Sequence, residues 1–174
     1  MTENPKPIVV FDTQAVTQAT ICPDGYAADG LRLMDEEKIE VYMSNRLRAE
    51  YEKTLDASSK AAMISKNHRR LQNVTPEAVR AQLTRFDEKA NRLLNPPNYV
   101  NFSRDENDAH VLNLAIHVKV DFIVSLDNDL LNLNQNKSWQ EYYPDIKVVK
   151  AEQLRDEISL FHEQSHKHTH GISR

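Results

Sequence analysis

Asp121-Phe122-Ile123-Val124-Ser125-Leu126-Asp127-Asn128-Asp129-Leu130-Leu131 is the stretch whose reading decides the fold. Its centre is a short continuous apolar run, the pattern of a strand covered on both faces, as in a parallel sheet. We read a strand over residues 122–126, ended by Asp127 and followed by a short helical turn around Leu130-Leu131. The same form occurs near the start of the chain, in Ile8-Val9-Val10-Phe11-Asp12. If the two strands are neighbours, both carboxylates stand at one edge of the sheet, beyond the strand C-termini, where parallel α/β sheets bind ligands. Packing alone does not require two acids there. A divalent cation accounts for them, because hard cations take oxygen ligands.

Outward from these strands the pattern alternates. Asp24-Gly25 and Asp29-Gly30 mark turns in a loop after the first strand. Residues 31–37 read as a short helix and 39–43 as a second strand. Ser44 is an N-cap for a helix reaching Leu55, with Leu47, Tyr51 and Leu55 as its buried stripe. Residues 57–73 continue with helical composition. Thr75-Pro76 opens another helix, Thr as N-cap and Pro at the first position. Its apolar face is Val79, Leu83, Phe86, Ala90 and Leu93, and Pro96-Pro97 ends it. Residues 100–102 read as a short third strand. Ser103 with Glu106 forms a capping box for a helix whose core side is Val111, Leu112, Ala115 and Ile116. Residues 132–136 are an Asn-rich loop, 146–149 a last strand, and Leu154, Ile158 and Phe161 define a C-terminal amphipathic helix. From His162 onward the tail is polar and expected to fray. Strands alternating with helices predict a three-layer α/β/α sandwich around a parallel sheet, built as a single domain over residues 1–174 with its core at about 7–160.

The bulk numbers narrow the class. A chain of 174 residues that is 40% hydrophobic and 28% charged suits one globular domain. A net charge of −4 and a pI near 6.0 argue against a strongly basic nucleic-acid module but allow an enzyme with a local basic groove. One cysteine, Cys22, excludes an internal disulfide and suits a reducing compartment. The polar N-terminus does not read as a secretory signal, and no apolar run reaches membrane-span length, so we expect a cytoplasmic protein.

Two further acids join the strand-end pair. Asp108 shares a helix face with Val111, Leu112 and Ala115 and is expected to point inward. Glu50 lies one turn after Leu47, beside the buried stripe. Four acids from four elements repel one another unless Mg²⁺ or Mn²⁺ offsets them. Two such ions, about 3.5–4 Å apart, clamp the attacking and leaving oxygens of a phosphodiester. Each acid alone has a plain explanation as a cap, a dipole partner or a solvated helix residue, and only the joint pattern points to a site.

At these residues the sequence resembles the PIN-domain ribonucleases, VapC-like toxins included. The motifs are Val10-Phe11-Asp12-Thr13-Gln14-Ala15-Val16, the helix from Ser44 through Glu50-Tyr51, Arg104 to Asp108 leading into Val111-Leu112, and the stretch quoted first. They stand in family order and cover roughly residues 7–160. The resemblance implies a PIN-like fold and Mg²⁺- or Mn²⁺-dependent cleavage of single-stranded RNA. It also implies a frequent role as toxin beside a cognate antitoxin, often as a homodimer. By position Asp12, Glu50, Asp108 and Asp127 match the family's acidic quartet, and Asp129 a further frequent acid. In the implied mechanism the metal activates a water for in-line attack on phosphorus. Thr13 offers a hydroxyl to the metal shell or the phosphate. Asp105 competes with Asp108 as third acid, and the register favours Asp108. Gln14 stands where the family has Asn, and Leu126 where it has Gly.

For RNA, Arg85, Lys89 and Arg92 recur along one helix away from its apolar stripe, and Lys66, Arg69 and Arg70 form a second patch. A solvated helix face is the plainer explanation of either patch. His162, His166, His168 and His170 offer transition-metal spacing or simply a polar tail, while His110 and His117 suggest no partner. Two rivals remain. A PIN-like fold that only binds RNA or a protein is compatible with Gln14 and Leu126. A haloacid-dehalogenase-type phosphatase needs a second acid where this chain has Gln14.

Overall fold

The computed structural model describes residues 4–65, 69–99 and 106–170. Five strands, β1 (Ile8–Phe11), β2 (Glu40–Ser44), β3 (Asn91–Leu93), β4 (Phe122–Val124) and β5 (Lys147–Val149), form one sheet in the order β3-β2-β1-β4-β5. Every pairing is parallel. Eight helices complete the described fold: α1 (Thr13–Ile21), α2 (Tyr26–Asp35), α3 (Asn45–Ile64), α4 (Pro76–Lys89), α5 (Glu106–Val118), α6 (Asn128–Leu131), α7 (Lys137–Tyr142) and α8 (Leu154–His170). This is the expected α/β/α sandwich. β1, the strand between β2 and β4, buries Val9, Val10 and Phe11 almost completely, as a strand covered on both faces must. After β1 the chain builds β2 on one side, then returns to lay β4 on the other. Strand order therefore reverses between β1 and β4, the position at which such sheets open a crevice.

Two helix starts form as their sequences dictate. Ser44 Oγ accepts from Leu47 N at 3.1 Å, and Thr75 Oγ1 from Ala78 N at 3.1 Å with Pro76 opening α4. The buried residues of α3 include Leu47, Tyr51 and Leu55, as its periodicity requires, and the helix runs on to Ile64.

Several expectations are corrected. The segment after β1 is not all loop: α1 and α2 occupy most of it, and the expected Asp24-Gly25 turn lies between them. Asp29-Gly30 lies inside α2, not in a turn. A Cβ on Gly30 would stand 3.4 Å from the Phe11 ring and 3.5 Å from Leu154, so this glycine permits close helix–sheet approach. The helix opened by Thr75 ends at Lys89, and residues 91–93 are instead edge strand β3, paired with Tyr42–Ser44. α7 fills a segment read without structure, with Asn136 Oδ1 capping Trp139 N at 3.0 Å. α8 continues through His170 rather than fraying at His162, since Gly171 is the first helix breaker in that stretch. The strand expected at 100–102 and the capping box at Ser103 lie outside the described residues.

The outer edge of β5 is closed by one side chain. Asn134 donates from Nδ2 to Val148 O at 2.6 Å and accepts from Val148 N at Oδ1 at 2.9 Å, replacing a missing strand. Asn134→Ala strands both groups of a buried residue, at a cost of about 1–3 kcal/mol. Urea unfolding measures this, and an unchanged midpoint would show that the amide contributes nothing.

Candidate active site

Asp12 ends β1 and caps α1. Its backbone N–H bonds Val124 O at 2.9 Å, which carries the β1–β4 ladder one residue past Phe11. Its Oδ1 accepts from Thr13 N at 2.8 Å and its Oδ2 from Ser125 Oγ at 2.9 Å. Ser125 Oγ also accepts from Asp127 N at 3.0 Å, so one buried hydroxyl ties the two strand-end acids together. Asp127 in turn caps α6 through Asp129 N, at 2.7 Å. Both carboxylates stand at the same carboxyl edge, on either side of the switch point.

Glu50 reaches this edge from α3. Its Oε1 accepts from Thr13 Oγ1 at 2.6 Å and its Oε2 meets His110 Nε2 at 2.6 Å. Tyr51, the next residue, is fully buried and donates its hydroxyl to Phe11 O, locking α3 to the end of β1. The Thr13 hydroxyl proton is thus committed to Glu50, whereas the sequence offered it to metal or phosphate.

The electrostatics follow from these contacts. Asp12 is only 6% exposed. Burial raises its pKa above the ordinary value, the Ser125 and Thr13 hydrogen bonds oppose this, and the charges of Glu50 and Asp127 push it further up. Burial also acts to raise Glu50, but hydrogen bonds from His110 and Thr13, with the positive charges of His110 and Arg46, leave it below the usual range. Burial, then the charges of Asp12 and Glu50, lifts Tyr51 well above its ordinary value and keeps it neutral.

Asp12, Glu50 and Asp127 are therefore brought together. Asp108 sits half-buried on α5, two residues before His110, and Asp129 is exposed on α6. Asp105 lies outside the described residues. Among those described, no three His, Cys, Asp or Glu side chains are gathered closely enough to ligate one metal ion. The donor chemistry nevertheless suits a hard cation. None of the ion pairs among the described residues involves Asp12 or Asp127, so a buried carboxylate crowded by two others has no fixed counter-charge.

The basic residues fare differently. Arg85 is bound to Asp35 on α2, its Nε at 2.9 Å, and to Gln82. Arg92 lies on β3, not on a helix with Arg85, and donates to Asn45 Oδ1 at 2.7 Å. Lys89 is exposed at the end of α4. The three do not form the single helical stripe that their spacing suggested. Arg69 and Arg70 are exposed on a 3₁₀ turn, and Lys66 lies outside the described residues.

The residues departing from the family pattern cause no backbone strain. Among the described non-glycine residues only Glu37 and Lys119 have positive φ, so Leu126 needs no glycine-like conformation. Gln14 is exposed on α1.

Two participants went unread in the sequence. His110 was assigned no partner, although it falls in the apolar run with Val111, Leu112 and Leu114. A histidine among core positions signals a buried polar partner, here Glu50. Its Nδ1 is buried without a partner among the described residues. Ser125 was passed over as part of a strand. His117 meets the Tyr99 hydroxyl at 2.6 Å.

A parallel α/β/α domain with acids collected at its switch point suits metal-assisted phosphoryl chemistry in general. Comparison with known families is specific: the PIN domain family model matches residues 8–129, more than half the chain. The chain belongs to the PIN domain family, a nuclease-type fold, which sets the phosphatase alternative aside. No curated protein matches it.

Two outcomes test this geometry. Folded Asp12 keeps its proton to higher pH than unfolded Asp12, so stability falls as pH rises from the ordinary carboxylate value through the raised one. Asp12→Asn, which keeps an acceptor for Thr13 N and turns a donor, Nδ2, toward Ser125 Oγ, should then raise the metal-free Tm at neutral pH by about 2–5 °C; a lower Tm contradicts the assignment. In His110→Ala the largest downward influence on Glu50 is gone, and carbon-detected NMR titration should show Glu50 protonating at higher pH. An unmoved Glu50 titration would show the contact to be electrostatically idle.

Proposed function

We propose that this protein is a metal-dependent endoribonuclease that cleaves phosphodiester bonds of single-stranded RNA. The observation that carries the reading is Asp12: a carboxylate at the switch point, pushed upward by burial and then by Glu50 and Asp127, and in no ion pair with a lysine or arginine among the described residues. Its instability is relieved by Mg²⁺ or Mn²⁺, which Asp12 and Asp127 would hold, with Asp108 and Asp129 as further candidates. When bound, the cation supplies Lewis-acid stabilisation and an acidified water.

The chain's own residues supply orientation. Ser125 fixes the separation of the two strand-end acids. Thr13 and His110 hold Glu50 in its ionised form, aimed at the same edge, where its remaining lone pairs can accept from water. Burial of Asp12 keeps bulk water from screening the site. Among the basic residues Arg85, Lys89 and Arg92, Lys89 remains available to a phosphate more readily than Arg85 and Arg92, which Asp35 and Asp87 engage.

Within the same reading the protein is the cytoplasmic toxin of a toxin–antitoxin pair and works as a homodimer. In support, α3 ends on Met63 and Ile64, 63% and 85% exposed, an apolar helix end that suits a partner surface. No described helix is long and apolar enough to cross a membrane. Light scattering after gel filtration tests the dimer.

The decisive assay is cleavage of single-stranded RNA with Mn²⁺, beside an Asp12→Asn, Asp127→Asn double variant. The variant should lose roughly two orders of magnitude or more in rate, and Mn²⁺ should raise the Tm of the native chain but not the variant's. Equal cleavage by both would end the nuclease reading, while RNA binding without cleavage by either would leave a binding module.

A further inference from the structure

Between the end of α1, the start of α2 and the segments after β4 and β5 lies a cleft of about 470 Å³ that the cleavage chemistry does not use. Cys22 from the end of α1, Tyr26 from the start of α2, and Leu126, Asn128, Lys150 and Glu152 from the segments after β4 and β5 line it. Leu126 and Asn128 flank Asp127 in sequence, so the cleft adjoins the candidate site along the chain, although none of the acids lines it. Two of its walls are large apolar side chains left open to solvent, Tyr26 at 68% and Leu126 at 39% exposed. Among the described residues neither Lys150 nor Glu152 forms an ion pair. A large aromatic, a large aliphatic, one cationic donor and one anionic acceptor thus surround a space of ligand-pocket size.

Leu126 is the informative residue. The family resemblance has glycine there, yet the backbone at Leu126 has no positive φ that would demand one. Its side chain is not buried for packing. It forms a wall.

We propose that this cleft is a subsite for one unpaired nucleobase of the RNA strand whose phosphodiester sits at Asp12 and Asp127. The base stacks on Tyr26 and Leu126, and its polar edge meets Lys150 and Glu152. The proposal rests on the nuclease reading for its substrate. A base in a duplex has both faces stacked and its pairing edge used, so the subsite selects single strands. Because stacking accepts any base, it contributes affinity before sequence preference.

Cys22 provides a local probe, since it is the chain's one cysteine and is exposed in this cleft. The native chain is alkylated in a Ca²⁺ buffer, with a short single-stranded oligoribonucleotide, its duplex, or inorganic phosphate, and the RNA is checked to be intact. The single strand should slow Cys22 alkylation about fivefold, with no effect of duplex or phosphate. By fluorescence anisotropy, Tyr26→Ala and Leu126→Gly should each weaken binding about tenfold, while Tyr26→Phe binds as the native chain does. Circular dichroism checks that these exposed substitutions leave the fold intact. Unprotected Cys22 at saturating RNA, or native affinity in both variants, overturns the subsite. Cleavage with unprotected Cys22 removes the subsite alone; protection without Mn²⁺-dependent cleavage removes the nuclease reading alone; no RNA binding removes both.

Discussion

One carboxylate buried where strand order reverses organises this molecule. Asp12 extends the β1–β4 ladder through its backbone N–H, and its two carboxylate oxygens cap α1 and receive the Ser125 hydroxyl, so strand, helix and loop all meet at this residue. Burial disfavours its ionised form, and the charges of Glu50 and Asp127 add to the penalty. The surrounding contacts are those needed to hold such a group in place. Tyr51 anchors α3 to the last carbonyl of β1, and Thr13 links α1 to Glu50. The site is strained in charge and well supported in geometry, the usual division between a scaffold and a functional centre.

Much of the fold was legible because its strongest signals are local. The apolar runs at 8–11 and 122–124 have the pattern of strands buried on both faces, and Ser44 and Thr75-Pro76 announce their helices by capping chemistry. What escaped depended on distant partners. α1 contains three threonines, an isoleucine and a valine, a weak helix by propensity, and it forms where α2 packs against it. Gly30 looked like a turn and is instead where α2 approaches Phe11. Residues 91–93 continued the apolar spacing of α4, but pairing with β2 overrode that period.

The candidate site divides in the same way. Asp12 and Asp127 could be placed on one edge from strand pattern alone, since parallel neighbours put their C-termini together. Glu50 followed from its position beside a buried stripe. His110 and Ser125 could not be assigned, because their roles lie in contacts 60 and 113 residues away in sequence. The proposed basic stripe failed for a related reason: spacing along a helix does not reveal that Asp35, from another helix, already neutralises Arg85.

The Asn134 amide at β5 has a consequence for assembly. An edge strand ordinarily offers its outward amides to any chain that arrives, and polar residues there guard against unwanted sheet growth. Here the outward pair of Val148 is already engaged. A second copy, or a foreign strand, finds no docking rail on that side. On that side the sheet stays a finite object even in a crowded cell, and a partner arriving there meets side chains rather than open strand amides.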